Sequence, residues 1–313
     1  MALALLTGGR IANSGTGIAA SVNDADRCIS EAAQSGASLQ AHPTDHFVLL
    51  SSADGASAAA TGVFLEQVRQ QFYASFAGAG FLPRPSSDKL VCVCVDSYSQ
   101  LDSYARLVDD VEASWMGGYY SHRTNRVAIV RFPGGARGMS NRISAQSAVS
   151  AAPSGSYSGS GSDGLNLRTV THELAHQLAF NSGLQQRGVN YPFWVTEGLA
   201  TNFEADESGA YGLSRSDAGY RSRLIQLKAN GRLIPLSSFV RMMSLSSGQD
   251  QSARDAYAQA WGLFRYLFLH HRQELKEYIS GWPKSRQSPE RRFAEVFGPI
   301  EPLERDFQRS LGE

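Results

Sequence analysis

Two rhythms of hydrophobic and polar positions run along this chain, and the change between them divides it. In the first half, short apolar runs bounded by turn residues predict strands. One is 46–50, closed by Ser51-Ser52-Ala53-Asp54-Gly55; the others are Leu90–Val95 and Arg126–Val130. The last follows Gly117-Gly118-Tyr119-Tyr120 and a polar turn, the pattern of a hairpin. Between the strands, residues 61–76 place Val63, Phe64, Val68, Phe72 and Phe76 at helical spacing. Residues 100–111 do the same with Leu101, Tyr104 and Leu107. From Leu165 onward the period is helical, predicting helices over 167–180, 221–228, 253–271, 273–279, 291–297 and 302–311. No repeat of fixed period appears.

Two stretches break the rhythm. Residues 1–43 are rich in Ala, Ser and Gly and read as a loosely ordered, partly helical lead. Residues 132–164 are dominated by Ser, Gly and Ala, too long and polar for an ordinary connection, and predict a flexible surface loop. That loop contains Gly159-x-Gly161-x-x-Gly164, which carries no nucleotide-binding meaning because Ser-rich sequence, not a strand, precedes it. The division is therefore a lead over 1–43, an α/β part over 44–131, the loop, and a helical part over 165–313.

Composition narrows the classes. Of 313 residues, 42% are hydrophobic and 19% charged, the profile of a soluble globular chain. Lys plus Arg equals Asp plus Glu, 29 each, which argues against nucleic-acid or anionic-membrane partners. The three cysteines, Cys28, Cys92 and Cys94, make no disulfide framework, and strand alternation puts Cys92 and Cys94 on one face as small core residues. No run approaches the roughly 18 apolar residues of a membrane span. The apolar start, Met1 to Leu6, lacks a basic leader and stops at Thr7-Gly8-Gly9. Compartment is left open: cytoplasmic, or extracytoplasmic if that start is a truncated signal.

The chemistry concentrates in Thr171-His172-Glu173-Leu174-Ala175-His176. Histidines at i and i+4 stack on one helix face, so both imidazoles reach one zinc ion. Glu173, one residue after the first, faces a metal-bound water without ligating. A catalytic zinc site needs a third protein ligand. Glu197, Glu204, Asp206 and Glu207 are the downstream candidates. Glu197 sits among Phe193, Trp194, Val195, Leu199 and Ala200, and a carboxylate drawn into such a core must be paired or metal-bound. Glu204, Asp206 and Glu207 read as solvated surface. The adjacent His270 and His271 suit a helix C-terminus better than a second metal site.

With 20 residues separating His176 from Glu197 in Trp194-x-x-Glu197-Gly198-x-Ala200, the pattern resembles the gluzincins, the aminopeptidase N and thermolysin superfamily. It is most similar to uncharacterised bacterial proteins of the peptidase-MA-like group, over roughly residues 44–312. The resemblance implies an α+β, zincin-like fold. Its small twisted mixed sheet lies in the N-terminal half, with an active-site helix and a mainly helical C-terminal half. It implies Zn2+ on His172, His176 and Glu197, Glu173 as general base, and a peptide or protein substrate. It also implies a transition-state tyrosine at Tyr257, in the run Tyr257-Ala258-Gln259-Ala260-Trp261, with Tyr220 in reserve. Two departures matter. The Asp that orients a zinc-bound histidine in thermolysin relatives is Thr201 here, and the exopeptidase Gly-x-Met-Glu-Asn signature is absent. Endopeptidase activity is therefore expected over aminopeptidase activity. Strand Arg126–Val130 is the expected edge for an extended substrate, with Gly117 and Gly118 leaving room near the metal. The competing readings are a non-catalytic peptide-binding or metal-stabilised module of the same shape, and a hydrolase of non-peptide amides. Oligomeric state is left open.

Overall fold

The apolar run Leu90–Val95 forms the central strand, β3, of a five-stranded mixed sheet. The computed structural model describes residues 22–131, 164–206, 208–213, 217–245 and 251–312. The other strands are β1 (Gln40–Pro43), β2 (Phe47–Ser51), β4 (Gly118–Ser121) and β5 (Arg126–Val130). Their order is β1-β2-β3-β5-β4, with β2, β3 and β5 parallel and β1 and β4 antiparallel to their neighbours. Inner parallel strands are buried on both faces, so they read as unbroken apolar runs. Alternation survives in which core each residue enters. Val91, Val93 and Val95 join one, while Cys92 and Cys94 join the other as free, buried thiols.

Helices cover both faces. On one side lie α1 (Val22–Gln34) and α3 (Tyr98–Tyr104), the latter continued by a π-helical turn, Ala105–Asp109. On the other lie α2 (Gly55–Gly78) and α4 (Leu167–Asn181). The lead expected to be loosely ordered over 1–43 thus contributes α1 and β1 from residue 22 onward; residues 1–21 lie outside the described residues. The π turn adds a residue and rotates the inward face, so Val108 is buried while Leu107, read as inward, is 50% exposed. In α2 the buried face runs through Thr61, Gly62, Leu65 and Val68, leaving Val63 outside. The 132–164 loop and the glycine pattern within it lie outside the described residues up to residue 163.

The remaining helices are α5 (Phe193–Phe203), α6 (Ala218–Ala229), α7 (Leu236–Phe239), α8 (Gln251–His270), α9 (Arg272–Gly281), α10 (Pro289–Phe297) and α11 (Ile300–Ser310). Helix α5 packs between α4 and α8. Gly198 permits the closeness: a Cβ there would stand 2.7 Å from the Ala260 carbonyl oxygen and 2.6 Å from Phe264 Cβ. Asn202 ties the same pair, donating to the carbonyls of Gly198 (2.7 Å) and Trp261 (2.8 Å). The result is α+β, a mixed sheet in the N-terminal half and helices in the C-terminal half. Among the described residues, no helix is long and apolar enough to cross a membrane.

Two polar clamps set how α4 lies on the sheet. Gln177 donates to the carbonyls of Val91 (3.1 Å) and Asn125 (2.9 Å). Asn125, in the left-handed region at φ 61°, exchanges amide hydrogen bonds with Asn181 at 3.0 and 2.7 Å. Since Gln177 follows His176 directly, these bonds fix the roll of the helix carrying the histidines.

Candidate metal centre

Helix α4 begins at Asn166, whose side chain accepts from the Thr169 N–H at 3.3 Å and so caps a helix that is buried over nearly its whole length. One turn separates His172 from His176, and their Nε2 atoms face each other at 3.1 Å. Helix α5 then delivers Glu197, whose Oε2 lies 3.3 Å from His172 Nε2 and 3.5 Å from His176 Nε2. The three residues form a buried cluster able to hold a metal ion.

The spacing can be tested against zinc. Tetrahedral bonds of about 2.0–2.1 Å put neighbouring donor atoms about 3.3–3.4 Å apart. Separations of 3.1, 3.3 and 3.5 Å form one face of such a tetrahedron. The carboxylate makes the same point: Glu197 is fully buried, and neither oxygen has a hydrogen-bond partner. A buried carboxylate left so is costly unless a cation meets it. Burial would push its pKa up, but the charge of His176 and contact with both imidazoles outweigh burial and bring it down to about 2. Burial likewise pushes His172 down, and contact with Glu197 and Glu204 overrides it, raising the imidazole to about 10. Without metal the cluster therefore holds a proton that an entering cation must displace.

The outer partner of His172 is Glu204, where the sequence suggested surface. Its side chain is 7% exposed, and Oε1 accepts from His172 Nδ1 at 2.7 Å. A carboxylate accepts, so the ring donates from Nδ1 and turns Nε2 toward the cluster. Thr201 plays no such part: its hydroxyl donates to the Glu197 carbonyl at 2.6 Å. Glu204 lies seven residues after Glu197, at the C-cap of α5. That spacing was readable, but the run of acidic neighbours disguised it. Asp206 is half-buried and accepts from Ser208, and Glu207 lies outside the described residues.

Glu173 is buried, and burial raises its carboxyl above the ordinary range against the pull of both histidines. The Tyr120 backbone N–H donates to it, and Oε1 has no partner. This corrects the expected edge: β5 lies between β3 and β4, and β4 is the outer strand, because the hairpin folds β4 outward. Tyr257, on α8, is buried with its hydroxyl unpartnered and feels the charges of Glu197 and Glu173. Burial, first, and those carboxylates hold the phenol well above its usual range, hence protonated. Tyr220 is committed elsewhere, donating to Glu204 at 3.2 Å. His270 ends α8 and His271 caps α9, both rings packing on Tyr266, and neither belongs to this cluster.

Residues 166–289 match the family model described as "Protein of unknown function (DUF1570)". The stretch matched to DUF1570 runs from the cap of α4 into α10 and holds His172, Glu173, His176, Glu197, Glu204, Tyr220 and Tyr257 together. The sheet lies before it. No curated protein matches the chain.

Proposed function

We propose that this chain is a zinc-dependent hydrolase of peptide bonds, an endopeptidase of gluzincin type. The observation that carries the reading is a buried Glu173 set on α4 between two histidines whose Nε2 atoms, with Glu197, have the spacing of a tetrahedral face. His172, His176 and Glu197 would hold the ion. When bound, zinc supplies Lewis acidity and acidifies water toward pKa ~7.

The chain's own groups do the rest. Glu173, held by the Tyr120 N–H, takes the proton from the attacking water and returns it to the leaving amine. Its raised affinity for protons suits that role, since a carboxylate of ordinary acidity would be a weaker base toward the attacking water. The Tyr257 hydroxyl, protonated and unpartnered, donates to the oxyanion as it develops. The outer strand β4 has no further strand beside it among the described residues and offers an edge along which an extended peptide can pair.

Metal content and turnover test this together. Wild type should hold about one zinc per chain, and Glu197→Ala should lose it. Glu173→Gln should keep the zinc and lose about 10²–10⁴ in turnover of a peptide mixture. A Gln variant that cleaves like wild type removes Glu173 from the mechanism. A wild type that holds zinc and cleaves nothing leaves a binding module of the same shape.

A further inference from the structure

The bond from His172 holds Glu204 at one oxygen only. Other groups hold the remainder. Arg168 donates from Nε to Oε2 at 2.5 Å, and the Tyr220 hydroxyl donates to the same oxygen at 3.2 Å. Arg168 is itself braced: its Nη2 donates to Asp217 at 2.9 Å, and its guanidinium lies 4.9 Å over the Tyr220 ring. Asp217 caps α6 by accepting the Tyr220 N–H at 2.9 Å, and Tyr220 stacks on Trp261 of α8, with centroids 5.8 Å apart. Arg168 stands one turn before His172 on α4, so both reach Glu204 from one helix face.

We propose that Arg168 is a positioning residue of the metal centre, acting through Glu204, with Tyr220 and Asp217 as its frame. The direction of His172 Nε2 is set by the bond at Nδ1, and that bond is only as well aimed as the carboxylate receiving it. Left with one partner, Glu204 could swing about its side-chain torsions. A planar guanidinium that bonds Glu204 through Nε and Asp217 through Nη2 removes that freedom in a way a point charge cannot. This rests on the metal-binding part of the reading above and not on peptide cleavage.

The test is zinc affinity, measured on the full chain by competition with a chelator. The proteins are wild type, Arg168→Met, Glu204→Gln and the double variant. Arg168 is 33% exposed at its side chain, so its replacement leaves the core intact. Each single variant should bind zinc about 10–100-fold more weakly. If Arg168 acts through Glu204, the double variant should be no weaker than Glu204→Gln alone. With Co2+ as probe, the absorption bands of Arg168→Met should shift at saturating metal, which general destabilisation would not cause. Affinity within twofold of wild type in a folded Arg168→Met, or losses that multiply in the double variant, overturns the proposal. Should Arg168→Met not fold, Tyr220→Phe decides: a several-fold loss supports the frame and an unchanged affinity refutes it. A wild type that takes up no zinc overturns the metal centre itself, a result distinct from an indifferent Arg168.

Discussion

Asp109 in the sheet half and Glu197 in the helical half are both buried carboxylates, and they are treated in opposite ways. Asp109, beside β4, accepts from the hydroxyls of Tyr119 (2.8 Å), Ser121 (2.5 Å) and Thr124 (3.0 Å). Arg126, also in the sheet half and 1% exposed, meets Glu31 of α1 at 2.6 Å and Tyr104 of α3 at 3.2 Å, pinning both helices to the sheet. Across the molecule, Glu197 is as deeply buried and has no hydrogen bond, and Glu173 Oε1, His176 Nδ1 and the Tyr257 hydroxyl share that condition. A buried polar group that the fold satisfies is structure; a cluster that the fold leaves unsatisfied is shaped for something else.

That comparison breaks if the unsatisfied groups prove inert. Tyr257→Phe removes only the orphaned hydroxyl, so it should lower turnover about 10²–10³-fold while zinc content and melting temperature hold. Wild-type rates in this variant would take Tyr257 out of the chemistry. The comparison sharpens at Asp109. Replacing it with Asn strands donors that the carboxylate now satisfies, costing about 1–3 kcal/mol in denaturant unfolding, with zinc affinity unchanged. A loss of zinc affinity without a loss of stability would show that Asp109 belongs with the site and not with the frame.

The smallest effect is one of pH. In metal-free protein His172 is raised to about 10 from an ordinary 6.5, with burial opposing and Glu197 and Glu204 prevailing. The native state then binds more protons than the unfolded one between those values, so this contribution is intact below pH 6.5 and fades as pH rises through 10. Glu197, brought down to about 2, contributes above its ordinary 4.5 and fades as pH falls toward 2. Melting temperature in chelator should therefore decline on the alkaline side, and zinc, which displaces the proton, should flatten the decline. An alkaline slope identical with and without zinc would detach His172 from the metal.

Much of this was legible residue by residue. Strands Leu90–Val95 and Arg126–Val130 stand where apolar runs placed them, since a buried inner strand has little else it can be. Helix α1 lies in a lead read only as loosely ordered or partly helical, because its Ala- and Ser-rich surroundings blur the period, and its place depends on Arg126 reaching Glu31 from 95 residues away. Tyr120 was readable as part of a hairpin, yet its backbone N–H has no signature in sequence at all.

What the sequence determined by itself is the part with short range. The i, i+4 spacing sets His172 above His176 on any helix, and Glu173 is carried with them. The apolar setting of Glu197 required it to be paired or metal-bound. Tertiary structure decided what depends on closure over distance: which strand lies outermost, which acidic residue turns inward to aim an imidazole, and which tyrosine is left unbonded. Glu204 and Glu197 differ little as text. One meets the histidine ring from outside and the other from inside because α5 crosses α4 at a register that Gly198 allows against α8. Packing, summed over the whole interface, chose that register.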